Sequence, residues 1–424
     1  MNPLHKALYQ AICANPEDDT PRLVFADLLD ETGNARDQRR AQFIRTQVAL
    51  ATQPLDSPEW VDARRYHPDI ATGWLFADTL PKPLPPGFSW RHFEFRRGFP
   101  YAVGVDSLTR LRHSGTAIFD RAPLQALQLL PPWDGPLPLL AQWPGLPRIR
   151  SLGLSGGWNC SRAVAQLMDA PSAQRIRELR IHDDGLSPHG LQTLAESAFF
   201  SQLTRFEMSH SHYPGALLIE ALAAAREPGN LRHVAFAFCH LQGADIARFV
   251  LMPWLQTVEH LELTDQPLGP SGVCSLANSP NLPRLRILNL SNTRPGRRGI
   301  QALCHSGRFR TLCMLDLSHN SLGPTTIKPL IAAEAETSLR VLNLANNPLG
   351  DTGVIALARS AWLKGLLELD LRNVNLHEKG AIALAESPFL DNLRFLNLRS
   401  CDQPLWSEKA RTALTERFGQ RVWL

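Results

Sequence analysis

Leu339-Arg340-Val341-Leu342-Asn343-Leu344-Ala345-Asn346-Asn347-Pro348-Leu349-Gly350-Asp351-Thr352-Gly353-Val354-Ile355-Ala356-Leu357-Ala358 contains both halves of the unit from which most of this chain is built. Its first six residues read LxxLxL, a short strand with apolar residues at positions 1, 4 and 6. After a turn, Val354, Leu357 and Ala358 are spaced i, i+3, i+4, which places them on one helical face. The LxxLxL pattern begins at Ile149, Ile176, Leu203, Leu231, Val258, Leu285, Leu312, Leu339, Leu366 and Leu393. Successive starts are 27 residues apart, except for one step of 28 between Leu203 and Leu231. All thirty residues at positions 1, 4 and 6 are apolar in a chain that is 44% hydrophobic, so the recurrence marks a stacked repeat rather than composition. Val273, Leu276 and Ala277 repeat the helical spacing, as do Ile300 and Leu303. Gly272, Gly299, Gly353 and Gly380 each precede the first apolar residue of a helix.

A single strand–turn–helix unit cannot bury its apolar face, but stacked units share one continuous core. Every connection runs strand to helix to strand, so the strands form a parallel sheet. Helices are wider than strands, which predicts a curved α/β solenoid with strands on the concave face and helices on the convex face. The predicted organisation has five parts: 1–50 a helical domain, 51–92 a Pro-rich linker with room for one helix, 93–148 an N-terminal cap with irregular first repeats, 149–401 the ten-repeat solenoid, and 402–424 a C-terminal cap. The last segment reads as a helix over 407–418 followed by the apolar end Val422-Trp423-Leu424. Upstream, Leu124 to Leu129 fits the strand motif, 101–105 reads as an earlier strand and 107–120 as its helix. Three helices are expected before residue 50, over 3–14, 21–32 and 36–50. Asp19-Thr20-Pro21 supplies a cap followed by Pro at the first helical position.

These units resemble leucine-rich repeats of the ribonuclease-inhibitor-like class. The asparagine position of that class falls at Asp184, Ser211, Cys239, Gln266, Thr293, Asn320, Asn347, Val374 and Cys401, and only two of these are Asn. The N-terminal stretch has its own resemblance. Ala11-Ile12-Cys13, Pro16 to Gly33 and Ala41 to Gln47 look like the bacterial repeat-companion domain, and Phe95-Arg96-Arg97-Gly98-Phe99 resembles the segment that opens the array in such proteins. The resemblance implies bacterial origin and architecture, and it implies no biochemical activity.

The chain has 424 residues, 44 basic and 40 acidic, so its net charge of +4 argues against a dedicated nucleic-acid binder. No run of 18 apolar residues marks a membrane span, and the first residues lack a secretory pattern. Seven cysteines, at 13, 160, 239, 274, 304, 313 and 401, form no CxxC pair, so reduced thiols in a cytoplasmic protein are expected.

Three patterns tempt a catalytic or metal reading. Gly153-Leu154-Ser155-Gly156-Gly157 matches the GxSxG nucleophile elbow, yet here Ser155 ends a repeat strand and the glycines make its turn. His233 and His260 occupy position 3 of adjacent strands, about 5 Å apart, with Glu259 and Glu262 near them. A metal site is conceivable there, although neighbouring surface imidazoles are more often solvated or stacked. Asp27, Asp30 and Glu31 share a helix face that reads as solvated or salt-bridged. Asn159-Cys160-Ser161 matches a glycosylation acceptor. No cofactor and no bound metal are expected.

Positions 2, 3 and 5 of each strand point away from the core, into the crescent. Arginines recur at position 2 (Arg150, Arg177, Arg232, Arg286, Arg340 and Arg394), and carboxylates and amides fill position 5. Counting eight basic against seven acidic residues over these positions leaves +1, a mixed face. The leading expectation is a non-catalytic scaffold that binds a protein partner there, through Arg286, Ile287, Met314, Asp316, Arg340, Val341, Asp370, Arg394 and Phe395. A hydrolase or metal-dependent enzyme using Ser155 or His233 and His260 is one alternative. Nucleic-acid binding through the arginine column is the other, and a small-molecule substrate is not expected.

Overall fold

The computed structural model describes residues 3–66, 76, 79–134, 138–156, 167–225, 229–333, 337–399 and 406–424. Cys160, Cys401, Gly157 and the Asn159-Cys160-Ser161 acceptor lie outside the described residues. The chain divides into two compact units. One is Met1–Leu55 with Asp62–Phe206, and the other is Asp56–Val61 with Glu207–Leu424.

In the first unit, helices α1 (Pro3–Ala14), α2 (Thr20–Glu31) and α3 (Ala35–Leu50) precede α4 (Pro58–Tyr66), whose first turn belongs to the other unit. Asp19 does not cap α2. Its side chain makes no capping bond and pairs instead with Arg97 at 2.9 Å, while Asp18 Oδ1 accepts from Thr20 N. The acidic face of α2 is salt-bridged, since Arg45 of α3 reaches Asp27 and Asp30 at 2.7 and 2.5 Å. Strand β1 (Phe88–Arg96) pairs antiparallel with β2 (Phe99–Ser107), beginning where only linker was expected. Its register slips between Ser89 and Glu94, so the strand lacks the clean alternation by which strands are read. Helix α5 (Leu108–Phe119), capped by Ser107, leads to β3 (Ala126–Asp134), and β4 (Ser151–Ser155) and β5 (Glu178–His182) follow in parallel.

The Phe95-Arg96-Arg97-Gly98-Phe99 segment binds the three helices to the hairpin. Phe99 is buried with Ile12, Phe25, Ala26, Leu29, Ala41 and Ile44 in one core. Phe95 packs edge-on to Phe43, and Arg97 donates to Glu17 O. Gly98 sits at φ +78 and donates its N–H to Gln47 Oε1 at 2.6 Å. Arg40, 7% exposed, lies with its guanidinium 4.9–5.5 Å from the ring centres of Phe43, Phe76, Phe95 and Phe99. A cation over several aromatic faces recovers part of its lost hydration.

Arg96 joins Glu94 and Glu178 at 2.7 Å each, and Arg180 reaches Glu94 at 3.1 Å. Burial pushes the Glu178 carboxyl up, but bonding to Arg96 outweighs it and holds the group below the usual carboxylate range. A depressed carboxylate stabilises the fold above its unfolded value of about 4.3 and loses that contribution as pH falls through the folded value. Glu178→Gln should therefore lower stability at neutral pH and make its decline between about pH 5 and 3 shallower than in wild type. Urea unfolding across that range measures both slopes, and parallel slopes would refute the role given to this carboxylate.

In the second unit the parallel strands follow chain order: β7 (His233–Ala237), β8 (His260–Thr264), β9 (Ile287–Asn289), β10 (Met314–Asp316), β11 (Val341–Asn343), β12 (Glu368–Asp370), β13 (Phe395–Asn397) and β14 (Val422–Trp423). The division between units falls within β6 (Arg205–Ser209). Leu339, Leu342 and Leu344 are fully buried, as are Val354 and Leu357 of the helix Gly350–Ala358, so strand leucines and helix stripe meet in one core. The C-terminal helix Glu408–Phe418 buries Ala410, Leu414 and Phe418. Val422 and Trp423, read from sequence only as an apolar end, form β14 and pair with Leu396 and Asn397. The fold is an α/β repeat solenoid.

The turns show what the Asn column does. Asn347, 1% exposed, accepts from Asn320 N and Leu322 N and donates to the carbonyls of Leu317, Leu344 and Ala345. Asn320 accepts from Thr293 N and Arg294 N and donates to Leu290 O. Gln266 Oε1 accepts from Leu241 N. Thr293 donates to Leu290 O, and Cys239 donates to Met208 O and Ala237 O. The repeats before Thr293 and Val374 satisfy their turns differently, since Leu268 N and Leu349 N bond the carbonyls two residues back. Beside this buried column, His210, Phe238, Asp265, Asn292, His319, Asn346 and Asn373 all have φ between +52 and +58, the conformation that Asn and Asp tolerate best.

Candidate functional site

The sheet surface turned away from the helices is built by strict register. Ile287, Met314, Val341, Glu368 and Phe395 form one row across β9 to β13, and Asn289, Asp316, Asn343, Asp370 and Asn397 form another. In the second row Asn343 donates to Asp316 at 2.6 Å and Asn397 to Asp370 at 3.4 Å. Alternating amides and carboxylates thus satisfy one another along the row. Two arginines of the neighbouring column have partners of their own. Arg232 meets Glu259 at 2.5 Å within its own column, and Arg340 donates to Gly365 O.

The nine expected partner-binding residues differ in exposure. Arg286, Arg340 and Arg394 are exposed, Ile287, Met314 and Asp316 are half-buried, and Val341, Asp370 and Phe395 are buried. What covers the apolar strip is the chain itself. Val61, in the first turn of α4, is fully buried against Val341 and Phe395, with Met314, Leu367 and Trp423 packed around them. Asp56, just before α4, lies with Oδ2 3.4 Å from Arg286 Nη2. Nothing in the repeat pattern signals this contact. Val61 shares its helix with Trp60 and Ala63, and no spacing in the helix marks it as the residue that reaches the strip. Asp370 is held by Arg372 as well as by Asn397.

His233 and His260 are opposed in register on β7 and β8, their ring centres 3.9 Å apart. Glu262 follows His260 by two residues, on the same side of the strand, and its neighbour on β7 is the small Ala235. The space above Ala235 lets both rings turn toward one oxygen. Glu262 Oε1 lies 3.2 Å from His233 Nε2 and 3.0 Å from His260 Nε2, and Glu207 Oε1 is 3.9 Å from His233 Nε2. The side chains of His233, His260 and Glu262 are 12%, 18% and 29% exposed. Burial pushes the Glu262 carboxyl up, but the two imidazoles outweigh burial and hold it well below the usual carboxylate range. Glu259, the other carboxylate expected nearby, is drawn to Arg232 instead.

Ser155 ends β4, 8% exposed, and its Oγ accepts from Gln128 Nε2 at 2.6 Å. Gly156 follows at φ +46 and makes the turn. The partner of this serine is thus an amide, which cannot take its proton. Cys13, Cys239, Cys274, Cys304 and Cys313 are free thiols, and burial pushes Cys304 up to about 12. Among the described residues no helix is long and apolar enough to cross a membrane.

Comparison with known proteins bears on the repeats. No curated protein matches the chain. Among solved structures, a chain of the yeast Rad7 and Elc1 complex is similar at 17% identity, covering 90% of this chain and 93% of that one, with a TM-score of 0.46. An internalin, InlF, from Listeria monocytogenes is similar at 15% identity, covering 69% of this chain and 79% of that one, with a TM-score of 0.40. The family model for the Leucine Rich repeat matches residues 336–358. That match spans β11 and the whole of the helix Gly350–Ala358, one strand–turn–helix unit of the series that recurs every 27 residues.

Proposed function

We propose that this chain is a non-catalytic protein-interaction scaffold whose partner binds the concave face of the later repeats. The observation that supports this reading most is that the face already holds polypeptide. Val61 fills the strip between Val341 and Phe395, and Asp56 lies beside Arg286. A partner would use the same chemistry, an aliphatic side chain in the Val341 and Phe395 strip and a carboxylate on Arg286. It would displace residues 56–61, which act as an internal competitor. Arg340 and Arg394 add exposed cations beside the strip, Ile287, Met314 and Asp316 line it, and Asp370 positions Arg372. Arginines beside a well-packed, desolvated pocket are among the residues enriched in interface hot spots. The three N-terminal helices, in this reading, form the repeat-companion module.

Affinity capture from native-source lysate tests the proposal with three baits. Wild type should capture a protein that the Arg340, Asp370 and Phe395 to Ala triple variant loses. Val61→Asp, which puts a charge where an apolar side chain is needed, should free the strip and capture several-fold more of the same protein. Identical capture by all three baits would place binding elsewhere on the chain.

A further inference from the structure

We propose that His233, His260 and Glu262 form a binding site for a divalent transition-metal ion of the zinc type. The first argument is the ligand set. Two imidazole nitrogens and one carboxylate oxygen suit Zn²⁺ and its first-row neighbours, whereas Mg²⁺ and Ca²⁺ prefer all-oxygen sites. The second is spacing. A tetrahedral ion held at about 2.0–2.1 Å from each donor sets the donors roughly 3.3 Å apart. Glu262 Oε1 lies 3.2 and 3.0 Å from the two Nε2 atoms, and the three donor atoms fall within 4.8 Å of one another. The third is rigidity. His233 and His260 are locked in register on neighbouring strands, and His260 and Glu262 share one strand face, so all three donors stand on sheet backbone rather than on a loop.

Glu207 Oε1, 3.9 Å from His233 Nε2, is placed to supply a fourth donor or to orient a bound water. The ion would replace the imidazole protons that otherwise face the Glu262 oxygen. It would also tie β7 to β8 on the sheet surface.

The test uses the full chain, stripped with a chelator and titrated with Zn²⁺ by calorimetry and with Co²⁺ by visible absorption. Wild type should take up one Co²⁺ with the intense d–d bands of four-coordinate cobalt, and Zn²⁺ should displace it. Glu262→Gln, which keeps the side chain's size, and His260→Ala should each weaken binding about tenfold or more. Thermal melting of the metal-free variants separates loss of the site from loss of the fold. Zn²⁺ should raise the melting temperature of wild type more than that of Glu262→Gln at the same concentration. Binding of equal strength in wild type and both variants would assign the metal to other residues and overturn the proposal, as would a wild type that takes up no ion.

Discussion

Replacing Asn347 with Leu should destabilise the repeat array by about 3 kcal/mol, because it strands two buried backbone N–H groups at once. Asn320 N and Leu322 N both donate to Asn347 Oδ1, at 2.9 Å each, and the amide also serves the carbonyls of Leu317, Leu344 and Ala345. Leu has the same branched four-atom side-chain skeleton as Asn, so the change removes the hydrogen bonds without opening a cavity. The array itself contains the competing outcome. Where Val374 stands in the column, Leu349 N turns to Asn347 O two residues back. If Leu322 N can make the same turn, one of the two donors is rescued and the loss falls to about 1–2 kcal/mol. Urea unfolding of Asn347→Leu beside Thr293→Val decides between these outcomes. Thr293 donates to Leu290 O and accepts no backbone N–H, so its replacement should cost less. Equal losses at the two positions would refute the account of the column given above.

Gly98→Ala should have a comparable or larger effect, about 3–5 kcal/mol, from two separate causes. Gly98 sits at φ +78, and a Cβ there would stand 2.6 Å from Ile44 Cα, which is backbone and cannot rotate away. Helix α3 would have to move off the hairpin, opening the core that Phe99 shares with Ile44, Phe25 and Ile12. Gly33→Ala is the internal control. It has φ +68 but nothing within 4 Å of the added carbon, so it feels the backbone strain alone, about 1 kcal/mol. Chemical denaturation of both variants, with limited proteolysis of the N-terminal helices, measures the difference. A Gly98→Ala no less stable than Gly33→Ala would mean that the close approach to Ile44 carries no energetic weight.

Both predictions concern features that were legible in sequence to different degrees. The Asn column was readable as a set of positions, and its departures at Cys239, Thr293 and Val374 were visible. Which turns would close by side chain and which by backbone was not, since that depends on the acceptors offered by the next repeat. The Phe95 to Phe99 segment was recognisable as a motif, but the role of each of its residues rests on partners far away in the chain: Gln47 for Gly98, Asp19 for Arg97, Glu178 for Arg96. His233 and His260 were placed together by register alone. The convergence of both on Glu262 needed Ala235 opposite it, a small residue whose value to the site appears only once neighbouring strands are aligned.

By itself, the sequence determined the repeat: its period, its strands, its helix faces and the rows of side chains that the strands present. Periodic burial repeats the same physical requirement in every unit, so it leaves a signal that can be read many times over. Only the tertiary structure decided what covers those rows. Val61 seals the Val341 and Phe395 strip, Arg40 stands among four phenylalanine rings, and Arg96 draws Glu178 into an ion network. Each of these contacts is made once, between residues remote in sequence. A non-recurring contact has no period, and its energy depends on a geometry that exists only when the chain has closed on itself.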